Sequence, residues 1–314
     1  MKMNLVHKNV LDAIGNTSLV RLTKIVPPDH PKIFVKLEWE NPTGSMKDRM
    51  AQEMIAGAEK DGRLKKGGTV IEYTGGSTGA SLALICAVKG YKLQIVSSDA
   101  FSQDKIDHMK ALGADMTIIP SKGEGINKTL VEKMIETARE FSKKPGVYWT
   151  DQLNNADHVS GYYQLGEEIW KQTNGKVDAF VHVIGTAASF KGTTTILKRY
   201  NPKMKVFAVE PAESPVLSKG KSGSHGIGGI GIGFTPPLWS PKIADEVITI
   251  TTKEAKDMAR RLAREEGLFA GISSGANVAA AILIGERFES NATIVTLMVD
   301  SGLKYLSGDL YKYP

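Results

Sequence analysis

The chain has 314 residues, 41% hydrophobic and 24% charged, with a formal net charge of +6. That is apolar material for one large core or two moderate ones, and no segment has the composition of a disordered tail. No apolar run approaches the roughly eighteen residues that span a bilayer, the opening MKMNLVHKNVLDAIGNT lacks a secretory signal's apolar block and cleavage site, and the scattered lysines read as a solvated surface, so a cytoplasmic protein binding neither membrane nor nucleic acid is expected.

The first informative element is NPTGSMKDR, residues 41–49. Ser45 and Asp48 predict a capping box, and Met50, Met54, Ile55 and Ala58 predict the buried stripe of a helix running to about Gly62. Lys47 falls in the first turn, where the helix dipole and unpaired N–H groups favour anions. A cation is disfavoured there and its neutral amine is easier to reach. Either Lys47 is a solvated lysine balanced by Asp48 or it is a reactive amine at a functional site.

β-Branched runs then alternate with helix-period runs, the pattern of a parallel sheet with crossover helices. Strands are expected over 69–73, 92–97, 115–119, 179–184, 206–210, 247–251 and 293–299. Helices are expected over 78–89, 103–112, 128–141, 159–171, 192–200, 254–266 and 276–288. The single cysteine, Cys86, lies in the apolar pattern SLALICAVKG, which places it in the core and excludes an intrachain disulfide or a cysteine-based metal site.

Four loops have the make-up of binding segments. Thr74-Gly75-Gly76-Ser77-Thr78-Gly79 lies between a strand and a helix, as an anion site or as a tight turn needing glycine. Gly185-Thr186-Ala187-Ala188-Ser189 follows the strand VHVIG and suits a phosphate, or is an ordinary loop; Ala187 and Ala188 both require φ < 0. Residues 226–231 match the dinucleotide spacing of glycines, but Pro236 and Pro237 follow and forbid the required helix, which leaves a plain flexible loop on the residues alone. In 271–276, Ser273 or Ser274 either caps the next helix or faces a ligand. No histidine pairs convincingly with a nucleophile or metal ligand, and each is expected at the surface or satisfied in the core.

NPTGSMKDR resembles the lysine segment of the cysteine synthase and cystathionine β-synthase family of pyridoxal-phosphate (PLP) enzymes, the β-family or fold type II. The likeness continues through Thr74 to Gly79, Gln152, Gly185 to Ser189, Gly228 to Phe234 and Gly271 to Ala276, in the family's order and over almost the whole chain. It implies two open twisted α/β lobes with mostly parallel sheets. Residues 1–40 and 150–314 would form the larger lobe anchoring the cofactor, and 41–149 the smaller one. Lys47 would carry PLP as a Schiff base and move the substrate's α-proton. Gly185, Thr186, Ala187, Ala188 and Ser189 would hold the phosphate, Ser273 would meet the pyridine nitrogen, and Ser77 would approach the ring oxygen. Thr74, Gly75, Gly76, Ser77, Thr78, Gln152, Gly228 and Gly229 would receive the substrate. The implied reaction is β-replacement of an activated serine by sulfide through an α-aminoacrylate. β-Elimination, cystathionine formation or a silent binding protein are the alternatives, and a homodimer without bound metal is the implied assembly. The sequence departs from the family's usual Thr-Ser-Gly-Asn-Thr-Gly at Gly75 and Ser77, and from its Gly-Thr-Gly-Gly-Thr at Ala187 and Ala188.

Overall fold

The computed structural model describes residues 6–312. β1 (Leu19–Arg21) and β2 (Lys32–Leu37) pair antiparallel at one edge of a sheet. Then α1 (Lys47–Asp61), β3 (Thr69–Tyr73), α2 (Ser77–Lys89), β4 (Lys92–Ser98), α3 (Gln103–Ala111), β5 (Asp115–Ile119), α4 (Lys128–Ser142) and β6 (Val147–Trp149) make a first α/β unit. A second begins with α5 (Ala156–Ser160) and α6 (Tyr163–Gln172) and runs through β7 (Ala179–Val183), α7 (Ala188–Tyr200), β8 (Lys205–Pro211) and α8 (Val216–Lys219). It closes with β9 (Glu246–Ile250), α9 (Thr252–Arg261), α10 (Ile272–Gly285) and β10 (Thr293–Met298).

The strands form two sheets, a four-stranded one in the order β5-β4-β3-β6 and a six-stranded one in the order β1-β2-β10-β7-β8-β9. Every pairing is parallel except β1 with β2. β7 and β10 are buried along their whole length, as central parallel strands covered on both faces must be. The two-lobed α/β architecture is therefore the one expected.

Several helices differ from their expected form; α7, for one, starts at Ala188 rather than Gly192. The helix over 159–171 is broken between α5 and α6 at Gly161 and Tyr162, and Gly161 packs directly on α1: a Cβ there would lie 2.8 Å from the Met50 Cα. The helix over 254–266 stops as α-helix at Arg261 and finishes in a π-turn, Leu262–Glu266. Glu266 ends that turn by accepting the N–H groups of Thr23, Lys24 and Ile25. The last helix starts at Ile272 rather than near Ala276, so both serines of the 271–276 loop lie in its first turn.

Candidate active site

Each sheet reverses its strand order once, between β3 and β6 in the smaller and between β7 and β10 in the larger. The crevice beyond the carboxyl ends of strands at such a reversal is the ordinary ligand site of an open α/β sheet. The 74–79 loop leaves β3, Gln152 follows β6, the 185–189 loop leaves β7, and Asp300 follows β10. All four switch-point exits thus carry polar segments.

Lys47 is the first residue of α1. The expected capping box is absent: Met46, already helical at φ −60 and ψ −14, occupies the N-cap position without a side-chain cap. Asp48 turns back to Thr43 instead, accepting its N–H at 2.8 Å and its hydroxyl at 2.5 Å. The remainder of α1 follows the expected stripe, with Gly62 in the left-handed conformation ending it. Burial pushes the Lys47 ammonium down to about 8, against the opposing pull of Asp300. The amine is still mostly protonated at neutral pH, but about a tenth of it is neutral there, far more than for a solvated lysine, and burial contributes more than the dipole argument anticipated.

α1 is fixed two residues further on by Arg49. Its guanidinium takes Glu38 with Nε at 2.7 Å and Nη2 at 2.8 Å, and Glu168 on α6 with Nη1 at 2.9 Å and Nη2 at 2.8 Å. Lys36 joins at 2.7 Å from Glu168. Burial alone would raise the Glu168 carboxyl, but Arg49 and Lys36 overcome it and hold it at about 2.

The 74–79 loop and Gln152 meet. Thr78 donates its hydroxyl to Gln152 Oε1 at 2.9 Å, and Gln152 Nε2 donates to the Tyr73 carbonyl at 2.8 Å. Glu72 supports them from beneath, accepting the Gln152 N–H at 2.9 Å and the Thr150 hydroxyl at 2.5 Å. Burial raises the Glu72 carboxyl to about 7 in spite of these donors. Gly75 has a local reason: a Cβ there would lie 2.3 Å from the Phe101 ring. Ser77 begins α2 behind Gly76, whose φ of +149 only glycine adopts readily. A cavity of about 490 Å³ opens beside Gly76 and Ser77, on the side of Thr43 and Lys105.

The 185–189 loop departs from expectation at Ala187, which has φ +68, while Ala188 opens α7. Ala187 is the N-cap, and the left-handed turn is what lets the chain leave β7 and enter α7 with its first N–H groups unpaired. A side chain in that conformation costs about 1 kcal/mol. Ala187→Gly is accordingly expected to raise stability by up to about 1 kcal/mol in urea unfolding, offset by glycine's extra unfolded-state entropy. A loss above about 1 kcal/mol would show that the Ala187 methyl packing outweighs the strain. Gly185 lies against the glycine-rich loop, where its Cβ would come 2.6 Å from the Gly229 carbonyl oxygen, and the Gly231 N–H reaches Ile184 O at 3.2 Å. Gly228 and Gly229 thus sit beside the 185–189 loop rather than apart from it.

Two buried histidines border this loop, and the sequence reading left both without a role. His158 Nδ1 is 2.6 Å from the Gln152 carbonyl and its Nε2 is 3.5 Å from the Thr186 hydroxyl. His182 Nε2 is 2.9 Å from the Ser189 hydroxyl. Burial first, and the Lys47 charge second, hold each near 3, so both are neutral at physiological pH. The available signal was a titratable residue inside the otherwise apolar strand AFVHV.

On the other side, Asp300 bridges to Ser45, and its carbonyl accepts the Gly271 N–H at 3.1 Å. Its Oδ2 accepts the Tyr305 hydroxyl at 2.9 Å, whereas Oδ1 is buried without a partner among the described residues. Neither serine of the 271–276 loop caps α10; Gly271 is the N-cap. Ser274 accepts the Val299 N–H at 2.9 Å, and Ser273, a buried residue, has no side-chain hydrogen bond to protein among the described residues.

An amine with a lowered pKa, unpaired helix-start N–H groups beside a hydroxyl, and a second unpartnered hydroxyl fit a cofactor with an aldehyde, a phosphate and a ring nitrogen. The family model described as pyridoxal-phosphate dependent enzyme matches residues 10–300, and the chain belongs to that family. The protein is thus a PLP-dependent enzyme of fold type II. A cysteine synthase from Staphylococcus aureus is 38% identical over 307 residues, covering 97% of this chain and 97% of its own. The crystal structure of O-acetyl serine sulfhydrylase isoform 3 from Entamoeba histolytica is 37% identical, with a TM-score of 0.93 over 100% of this chain and 94% of its own. A hydrogen sulfide-producing enzyme from Fusobacterium nucleatum is 40% identical, with a TM-score of 0.88 over 96% of this chain and 100% of its own. No helix among the described residues is long and apolar enough to cross a membrane, and no group of three His, Cys, Asp or Glu among them is placed to hold a metal.

Proposed function

We propose that the protein forms L-cysteine by replacing the β-substituent of an activated serine, such as O-acetylserine, with sulfide. The observation that carries this reading is a set of bonds that ties the loops together: Met46 and Ser45, just before Lys47, pair with Val299 and Asp300, which bond Ser274 and Gly271, while Thr78, Gln152, His158 and Thr186 link the 74–79 loop to the 185–189 loop. Similarity to a cysteine synthase over nearly the whole chain supports it. Lys47 would hold the cofactor covalently and, once released, take the proton from the substrate's Cα. The N–H groups and hydroxyls of Gly185 to Ser189 would hold the phosphate, with Ala187 and Ala188 contributing only backbone. Ser273 would face the ring nitrogen as a neutral hydroxyl. Thr74, Gly75, Gly76, Ser77 and Thr78, with Gln152, would orient the substrate carboxylate, and Gly228 and Gly229 would line the opposite wall. PLP, when bound, supplies the electron sink for charge developing at Cα.

The assay is cysteine production from O-acetylserine with and without sulfide. Sulfide-dependent cysteine is expected; pyruvate alone, at a rate indifferent to sulfide, would contradict the reading. Because the reactive form of Lys47 is the neutral amine, covalent capture of PLP by the apoprotein should quicken as pH rises through about 8 and then level off. A rate that keeps climbing toward the ordinary lysine range would show that the amine is solvated.

β-Elimination is the second reading, favoured by Gly75 and Ser77 and by the similarity to a hydrogen sulfide-producing enzyme. A serine hydroxyl reaches less far than an amide and both donates and accepts, so it constrains a neighbouring ring oxygen less. Ser77→Asn should therefore lower the ratio of pyruvate to cysteine formed with limiting sulfide. An equal or higher pyruvate fraction would remove this loop's support for elimination. We further take the lobes to be 1–40 with 150–314 and 41–149, in keeping with the membership of the two sheets. A cytoplasmic homodimer follows from the family resemblance alone.

A further inference from the structure

The 185–189 loop contains no lysine or arginine, so a dianion there depends on neutral donors and on where each hydroxyl proton points. One of those directions is fixed by a buried chain of three side chains. The Val183 N–H lies 2.8 Å from Asn277 Oδ1, and a backbone N–H can only donate. The other amide atom of Asn277 is therefore its nitrogen, with two protons to give. One goes to the Leu297 carbonyl at 2.8 Å and the other to His182 Nδ1 at 3.3 Å. Since Nδ1 accepts, the single proton of the neutral imidazole is on Nε2, and it is donated to Ser189 Oγ at 2.9 Å. A hydroxyl that accepts from His182 has its own proton directed elsewhere. Ser189 has no other protein partner among the described residues and stands in the first turn of α7.

We propose that Asn277 and His182 are positioning residues that hold Ser189 as a hydrogen-bond donor toward the phosphate of PLP. This rests on the reading that the 185–189 loop binds that phosphate. Asn277 and His182 are each 0% exposed and Ser189 is 6% exposed, so bulk water does not compete for the chain of bonds. Burial first, and the Lys47 charge second, keep the His182 imidazole neutral. An imidazolium would carry a proton on Nδ1 as well and break the bond from Asn277. The arrangement thus allows the amine to be cationic without turning the histidine around.

The test uses the PLP-loaded full-length protein. ¹⁵N NMR of labelled histidines should show His182, assigned by its loss in His182→Gln, as the Nε2–H tautomer from pH 6 to 8. The Nδ1–H tautomer or an imidazolium in the native protein would overturn the proposal. PLP affinity by equilibrium dialysis, with the ³¹P shift of the bound phosphate, gives the second readout. Ser189→Ala and His182→Ala should each weaken binding about tenfold or more and move the ³¹P signal, the size expected for one hydrogen bond to a charged group. His182→Gln, whose amide keeps a donor toward Ser189, should stay within about threefold of the native protein. If Ser189→Ala weakens binding and His182→Ala does not, the phosphate reading stands and the positioning proposal falls. If Ser189→Ala changes neither affinity nor ³¹P shift, the phosphate assignment falls and takes the proposal with it.

Discussion

Lys47→Ala is expected to cut turnover by about a thousandfold or more, a general-base loss compounded by loss of the covalent link to PLP. The fold should remain within about 1 kcal/mol of the native protein, because the surroundings of α1 do not use the ammonium. Its start is held by Thr43 with Asp48 and by Arg49 with Glu38 and Glu168, and its buried face by Met50, Met54, Ile55 and Ala58. The checks are steady-state turnover, the visible absorbance of protein-bound PLP and the urea midpoint. Substantial turnover with an unaltered absorbance would mean that another amine does the work.

Arg49→Met is expected to be the most damaging single change to stability, at about 3–5 kcal/mol, because it strands the buried Glu38 carboxylate and leaves Glu168 with Lys36 alone. Arg49 is 4% exposed and Glu38 0%, so neither charge can be rehydrated without opening the structure. Adding Glu38→Gln to Arg49→Met should recover part of the loss, since it removes the stranded charge, whereas Glu168 must stay ionised to pair the buried Lys36. The pH dependence has a definite sign. Glu168, held at about 2 against an ordinary 4.5, contributes stability that is complete above the ordinary value and disappears as pH falls through the folded one. In Arg49→Met this acid-side loss should shrink. Urea midpoints at several pH values measure both effects, and a destabilisation under about 1 kcal/mol at neutral pH would show the cluster to be solvated.

The parts of the site that the sequence made legible are those where local chemistry and local structure coincide. A glycine and hydroxyl cluster between a β-branched run and a helix-period run marks the carboxyl end of a strand, and the 74–79 and 185–189 loops could be placed for that reason. Lys47 stood out because it breaks a rule for the first turn of a helix, and it is indeed the first residue of α1. What stayed illegible depends on residues far apart in the chain. β2 contains Lys36, which spoils its apolar pattern, yet Lys36 is fully buried because Glu168 on α6 pairs with it. β1 and β6, with three residues each, are too short for any periodicity to declare them. The left-handed Ala187 could not be foreseen, since alanine rarely adopts that conformation and only the join of β7 to α7 requires it. Asp48 had two partners within reach in sequence, and the choice of Thr43 over Ser45 was settled by the path of the chain into α1.

The central claim is that the cleft between the two sheets is built around the amine of Lys47. Borohydride reduction of the PLP-loaded protein, followed by proteolysis and mass spectrometry, tests it most directly. The account predicts one modified peptide, containing NPTGSMKDR with the cofactor on Lys47. Modification of a different lysine, or an even spread over surface lysines, would contradict it.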